Sequence, residues 1–217
     1  MSNRTTNRCI DKIPKQPLVY LVDSDFLVYR FLNVSKISNE REKQRAHLAL
    51  QYWKHIDSQR YIDRARVFVL DVCIAEAFKT LAKYYYNRRD VFPTFVYYKN
   101  ACDKLRKEVR HSPQQARRSI RRITFHDIQT SRDIIIGVDR FFENTHKKHK
   151  HVGLVDLLIL STARYLIDFL GISRNTIQII TMDGPLYDLA RMYNELPASF
   201  NPDKKADHPS KVFVSRR

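Results

Sequence analysis

Apolar residues fall in short runs between charged stretches, and the spacing within each run predicts its conformation. Residues 18–22, LVYLV, form a strand-like run ending at Asp23, and residues 26–32 then take up helical spacing. Between 40 and 56, Ala46, Leu50, Trp53 and Ile56 recur every three or four positions with charges between them, which predicts an amphipathic helix. Residues 67–70, VFVL, predict a second strand, with Asp71 as an N-cap and 72–86 as the helix that follows. Further helices are predicted over 131–143 and 155–170, a β-branched buried strand over 176–181, and a helix-like stretch over 186–193. Strands alternating with helices predict an α/β chain with a central parallel sheet.

The stretch 84–124 departs from this alternation. An aromatic patch (Tyr84, Tyr85, Tyr86, Phe92, Phe95, Tyr97, Tyr98) runs into Lys104, Arg106, Lys107, Arg110, Arg117, Arg118, Arg121 and Arg122, with Glu108 as the only interrupting acid from 104 onward. This segment reads as a basic helical elaboration on one domain spanning 18–200, flanked by a flexible basic leader (1–17) and a polar tail (201–217). In that tail, Val212, Phe213 and Val214 offer a short edge-pairing segment. The arginines should grip phosphates; for the tyrosines, burial in the core outweighs stacking on exposed bases.

With 43% hydrophobic and 12% aromatic residues, 217 residues bury a sizeable core. No apolar run approaches the roughly 20 residues that span a bilayer, so no membrane span is expected. The first residues lack the apolar stretch of a secretory signal, which leads to a cytoplasmic expectation. Cys9, Cys73 and Cys102 are odd in number and widely spaced, against both a disulfide framework and a cysteine zinc site. The formal net charge of +16 favours a polyanion, and the basic stretches carry too few bulky apolar residues for a membrane-surface helix, so nucleic acid is the expected partner. Four glycines leave no Gly-rich phosphate loop. His146, His149 and His151 read as a further phosphate-contacting patch, and His126 as an ordinary surface or core histidine.

Four carboxylates carry the candidate chemistry. Asp23 and Asp183 each follow a predicted strand, at the ends where parallel sheets open their functional crevice. Glu76 lies early in the helix after VFVL. Asp156 stands between Val155 and Leu157 at an apolar helix start, where an ionised carboxylate is costly unless paired or bound to a cation. Oxygen donors of this kind suit Mg²⁺ or Mn²⁺, which can generate hydroxide and stabilise the charge that develops during phosphodiester cleavage. Singly, Glu76 is as well explained by a structural role at a helix start, and Asp23 and Asp156 somewhat less well. Their ordered set is the stronger signal.

These segments resemble the PIN-domain nucleases, and the resemblance spans most of the chain. Val22-Asp-Ser-Asp25 is similar to the family's first strand and turn, Val72-Cys-Ile-Ala-Glu76 to the helix carrying its Glu, and Gly153-Leu-Val-Asp156 with the following apolar helix to its third acid. Ile180-Thr-Met-Asp183 is similar to its final strand and Thr-x-Asp. The resemblance implies a three-layer α/β/α fold and a Mg²⁺- or Mn²⁺-dependent endoribonuclease. Asp23, Glu76, Asp156 and Asp183 would be catalytic and metal-binding, supported by Ser24, Asp25, Thr181 and Asp188. A VapC-like toxin would bring an antitoxin partner and a homodimer; larger PIN-like ribonucleases are the other branch. The spacings Asp23 to Glu76 and Glu76 to Asp156 exceed those of small toxin forms, and Gly184-Pro185 follows Asp183 where toxins often carry another acid and an aromatic. The alternatives are a non-catalytic RNA-binding or regulatory PIN-like protein and a structure-specific DNA nuclease.

Overall fold

The computed structural model describes residues 17–88, 90–110, 125–147 and 152–209. In chain order these form β1 (Leu18–Val22), α1 (Ser24–Tyr29), α2 (Glu40–Tyr61), β2 (Ala65–Leu70), α3 (Asp71–Tyr86) and α4 (Phe95–Val109). They continue as β3 (His126–Ile128), α5 (Arg132–Gly137), α6 (Asp139–Lys147), α7 (Leu154–Asp168), β4 (Ile177–Ile180), α8 (Gly184–Ala190) and β5 (Ala198–Phe200). The five strands make one sheet in the order β3-β2-β1-β4-β5, and every pairing is parallel. Helices cover both faces, giving the expected α/β/α layering. That covering explains why β1 is apolar along its length rather than alternating: four of its five residues are buried.

The chain builds from β1 through β2 to β3 and then returns to β1's other side for β4 and β5, so the order reverses between β1 and β4. In such sheets the crevice lies outside the strand carboxyl ends at that reversal.

Trp53 anchors the packing of α2 on the start of the fold. Its ring stacks on Phe26 (centroids 4.7 Å apart) and meets the edge of Phe125, and its indole N–H donates to the Phe26 carbonyl at 3.1 Å. Arg30 lies with its guanidinium 4.7 Å from the centre of the Trp53 ring and bonds both Asp57 and Glu108 at 2.8 Å. Glu108, the lone acid of the basic stretch, is therefore drawn inward and fastens α4 to the body.

The structure differs from the sequence expectations in several places. β3 and β5 are three residues each, too short to carry a periodic signal. The helix expected over 131–143 breaks at Val138 into α5 and α6. Asp71 is the first residue of α3 rather than its cap; its carboxylate accepts from Thr130 N–H (3.2 Å) and from the Thr130 hydroxyl, bracing the loop after β3. Residues 201–209 lie against the body: Asn201 and Asp207 are buried, the Tyr52 hydroxyl donates to the Asp207 carbonyl, and Asn201 N–H donates to the Asp207 carboxylate. Of the aromatic patch, Tyr84 and Phe92 are core residues whereas Tyr86 and Phe95 are 68% and 52% exposed. Residues 212–214 lie outside the described residues.

Gly137 closes α5 against α7, where a Cβ would run into the Ser161 hydroxyl, itself hydrogen-bonded to the Ile134 carbonyl at 2.5 Å. Gly137→Ala should destabilise the protein by about 1–3 kcal/mol through overpacking. Because the same Cβ would stand an ordinary 3.6 Å from Ser161 Cβ, adding Ser161→Ala should recover part of that loss. Urea unfolding of both single variants and the double variant measures the coupling; purely additive losses would show that the two residues do not clash.

Candidate active site

Val22 lies opposite Ile180 across the β1–β4 pairing, so both strands leave the sheet at the same height. Asp23 N–H then donates to the Ile180 carbonyl at 3.1 Å. The Asp23 carboxylate caps α1 by accepting from Phe26 N–H at 2.6 Å, and its other oxygen accepts from the Thr181 hydroxyl. Thr181 is fully buried, and its hydroxyl oxygen accepts from Asp183 N–H at 2.8 Å. Asp183 in turn caps α8 through Leu186 N–H at 2.8 Å, with Pro185 pre-shaping that first turn.

The helices supply the other two acids. Glu76, in the second turn of α3, accepts from the Ser24 hydroxyl at 2.7 Å, which ties it to the residue beside Asp23. Asp156, in the first turn of α7, accepts from Gly153 N–H at 2.9 Å. Asp23, Asp156 and Asp183 thus each hold a helix start, the structural role that the sequence left open.

Their charges nonetheless fall in one neighbourhood. Burial and the adjacent Asp25 charge push the Asp23 carboxyl well above the usual range; the Thr181 and Phe26 hydrogen bonds oppose this, and Asp156 adds to it. Asp25 is also raised, by burial and by Asp183, Glu76 and Glu42, with Arg45 pulling the other way. Asp156 is raised to about 7 by burial, then by Asp183, Glu76 and Asp25, against the Gly153 hydrogen bond. The Cys73 thiol beneath them is pushed up by burial and by Asp23, Glu76 and Asp156. Asp25 and Asp156 thus each feel Asp183 and Glu76, and Asp23 feels Asp25 and Asp156, which links all five acids at the edge where β1 and β4 end. With Asp23, Asp156 and Asp183 turned toward their caps and Glu76 toward Ser24, they are not gathered as a cage: among the described residues no three His, Cys, Asp or Glu side chains stand close enough together to hold a metal ion.

No family model matches the chain, and no curated protein matches it by sequence. Among solved structures, the VapBC2 structure from Rickettsia felis, bound to a DNA fragment from its promoter, matches with a TM-score of 0.50 at 14% identity. The match covers 85% of this chain and 98% of that one. The fold is PIN-like. A VapBC-1 structure from nontypeable Haemophilus influenzae aligns at 12% identity with a TM-score of 0.46, over 86% of this chain and 100% of that chain.

Within the PIN-like fold, two residues beside the acids escaped the sequence reading. Arg45, on α2, donates to the Met182 carbonyl at 2.9 Å, and its Nε lies 3.5 Å from the Asp203 carboxylate. Glu42, one turn earlier, is buried and accepts from the Tyr29 hydroxyl and, at 3.1 Å, from Arg88. Both read in sequence as the charged face of an amphipathic helix, and nothing local distinguishes them. Asp188 is left on the exposed side of α8.

Lys104, Arg106, Lys107 and Arg110 are exposed on α4 or at its end, and Arg106 pairs with Asp103 at 2.5 Å. Arg117, Arg118, Arg121 and Arg122, and the side chains of His146, His149 and His151, lie outside what the structure describes. His126 sits in β3, stacked on Phe68 at 5.1 Å. Cys73 and Cys102 are free and buried.

The raised Asp156 fixes the sign of a pH effect. A carboxyl whose folded-state pKa lies near 7 binds its proton more tightly folded than unfolded, so its contribution to stability falls as pH rises from about 4 through 7. Asp156→Asn keeps an oxygen for Gly153 N–H but removes the charge. In EDTA it should flatten that decline and raise the melting temperature above the parent's at pH 7.5. An unchanged pH profile would remove Asp156 from the set of mutually repelling acids.

Proposed function

We propose that this chain is a divalent-metal-dependent endoribonuclease that hydrolyses phosphodiester bonds in RNA, acting as the toxin of a toxin-antitoxin pair. The observation that carries the reading is the shared field of Asp23, Glu76, Asp156 and Asp183 at the carboxyl edge of a PIN-like sheet. The all-oxygen donors, Asp23 buried and Glu76, Asp156 and Asp183 half-buried, suit a hard cation such as Mg²⁺ or Mn²⁺, which would relieve their repulsion. To reach one ion the side chains must turn from the hydrogen bonds that now hold them apart. When bound, such an ion supplies an activated hydroxide and stabilises charge on the scissile phosphate.

The chain's own residues do the positioning. Asp23, Glu76, Asp156 and Asp183 would hold the ion; Thr181 orients Asp23 and the Asp183 backbone together, and Ser24 orients Glu76. Asp25 adds negative charge from the first turn of α1, and Arg45 offsets it from α2. The RNA preference rests on the +16 net charge and the exposed cations of α4. The antitoxin partner rests on the likeness to a VapBC structure.

With purified protein, Mn²⁺ should permit cleavage of RNA that EDTA abolishes. Asp156→Asn and Asp23→Asn should each lower cleavage by about 100-fold or more while RNA affinity in EDTA stays close to the parent's. Mn²⁺ at about 100 times its Kd should raise the parent's melting temperature by roughly 5–10 °C and leave Asp156→Asn far less affected. RNA binding with no metal-dependent cleavage would favour a non-catalytic RNA-binding protein; faster cutting of matched DNA would favour a DNA nuclease.

A further inference from the structure

Away from the acids, a cleft of about 320 Å³ opens between α4 and the turn that follows α1. That volume is at the low end of small-ligand pockets, which run from about 300 to 1,000 Å³. Its chemistry is mixed in a particular way. Phe31 contributes buried apolar surface, Tyr97 a half-exposed ring, and Asn33 and Asn100 exposed carboxamides. Lys104 and Lys107 border the same opening, and the Lys36 ammonium stands 5.7 Å from the centre of the Tyr97 ring.

The acids that would repel a phosphate here are already engaged. Asp103, which also lines the cleft, is paired with Arg106 at 2.5 Å, and Glu108 is drawn to Arg30 at 2.8 Å. Two ammonium groups, one aromatic ring and two amides therefore meet at one opening, with the Lys36 ammonium over one side of that ring and with Asp103 and Glu108 already paired. An aromatic face stacks any base, carboxamides both donate to and accept from base edges, and ammonium groups hold phosphates. In a duplex the base face is covered by its neighbours, so only an unpaired nucleotide presents all three features together.

We infer that this cleft seats one nucleotide of a single-stranded RNA. Its base lies on Tyr97 with its edge toward Asn33 and Asn100, and the flanking phosphates lie at Lys36, Lys104 and Lys107. The inference rests on the proposed RNA reading and adds where the strand is gripped and that it is unpaired there. None of Asp23, Glu76, Asp156 and Asp183 lines the cleft, so grip and cleavage are separable.

The test is fluorescence anisotropy of the full chain with a short labelled single-stranded RNA, in EDTA so that cleavage plays no part. Tyr97→Ala should weaken binding about fivefold or more, Tyr97→Phe should restore it, and a blunt-ended duplex of the same composition, without a loop, should bind the parent and Tyr97→Ala alike. Lys104→Ala with Lys107→Ala should lower the slope of log affinity against log salt by about 1.4, the value for two released counterions on a single strand. Tyr97→Ala leaving single-strand affinity unchanged, or weakening duplex and single strand equally, would overturn the inference. So would a free nucleoside monophosphate binding as tightly as the oligomer, which would mark a small-molecule site. Because binding is read without metal, these outcomes are independent of whether Asp156→Asn abolishes cleavage.

Discussion

The parallel pairing of β1 with β4 holds the acidic edge together, because it brings the chain out of both strands at one level. Asp23 N–H finds the Ile180 carbonyl there, and the Thr181 hydroxyl lies between the Asp23 carboxylate and Asp183 N–H. A slip of one residue would turn Thr181 away from Asp23 and break both bonds. The same geometry aims the starts of α1 and α8 toward the crevice, where backbone N–H groups and helix dipoles favour negative charge. That attraction is outweighed: burial and mutual repulsion raise Asp23, Asp25 and Asp156 despite the hydrogen bonds each side chain accepts or the cation nearby.

A second constraint sits at the far end of α1. Arg30, only 13% exposed in its side chain, joins α2 through Asp57 and α4 through Glu108 while lying over Trp53. Removing Arg30 would leave Asp57 and Glu108, each about a third exposed, to water, whereas removing either acid leaves the guanidinium with one partner instead of two. α4 is thus fixed to the body through its acidic side and left cationic on the other. The proposed grip and the proposed chemistry consequently stand on different elements, joined through α1.

The sequence was most legible where burial imposes a pattern. β1, α3, α7 and β4 appeared near their true places because LVYLV, the alanine-spaced Val72 to Tyr86 run, LVDLLIL and TIQIIT are dictated by contact with other layers. β3 and β5 were invisible because HDI and ASF are too short to show a period, and their strand identity comes from neighbouring strands. Asp71 was misplaced by one position because a carboxylate before a helix suggests a cap, whereas here it reaches Thr130 across the sheet edge. At the candidate site, Asp23 and Asp183 were legible from their position after apolar runs, and Glu76 mainly from family resemblance. Arg45 and Glu42 were hidden, because a long helix with charges on several sides does not reveal which charge faces inward.

The capping role of Asp23 and Asp183 has an evolutionary consequence. Under the proposed function each carboxylate would serve a cation as well as the helix start it caps, so selection for folding and selection for chemistry would act on the same atoms. A lineage that loses the chemistry still needs an acceptor at those two positions, and asparagine or serine supplies one without the charge. Silent descendants of this chain should carry such residues at 23 and 183. Alanine there would disarm the edge and loosen the helices together.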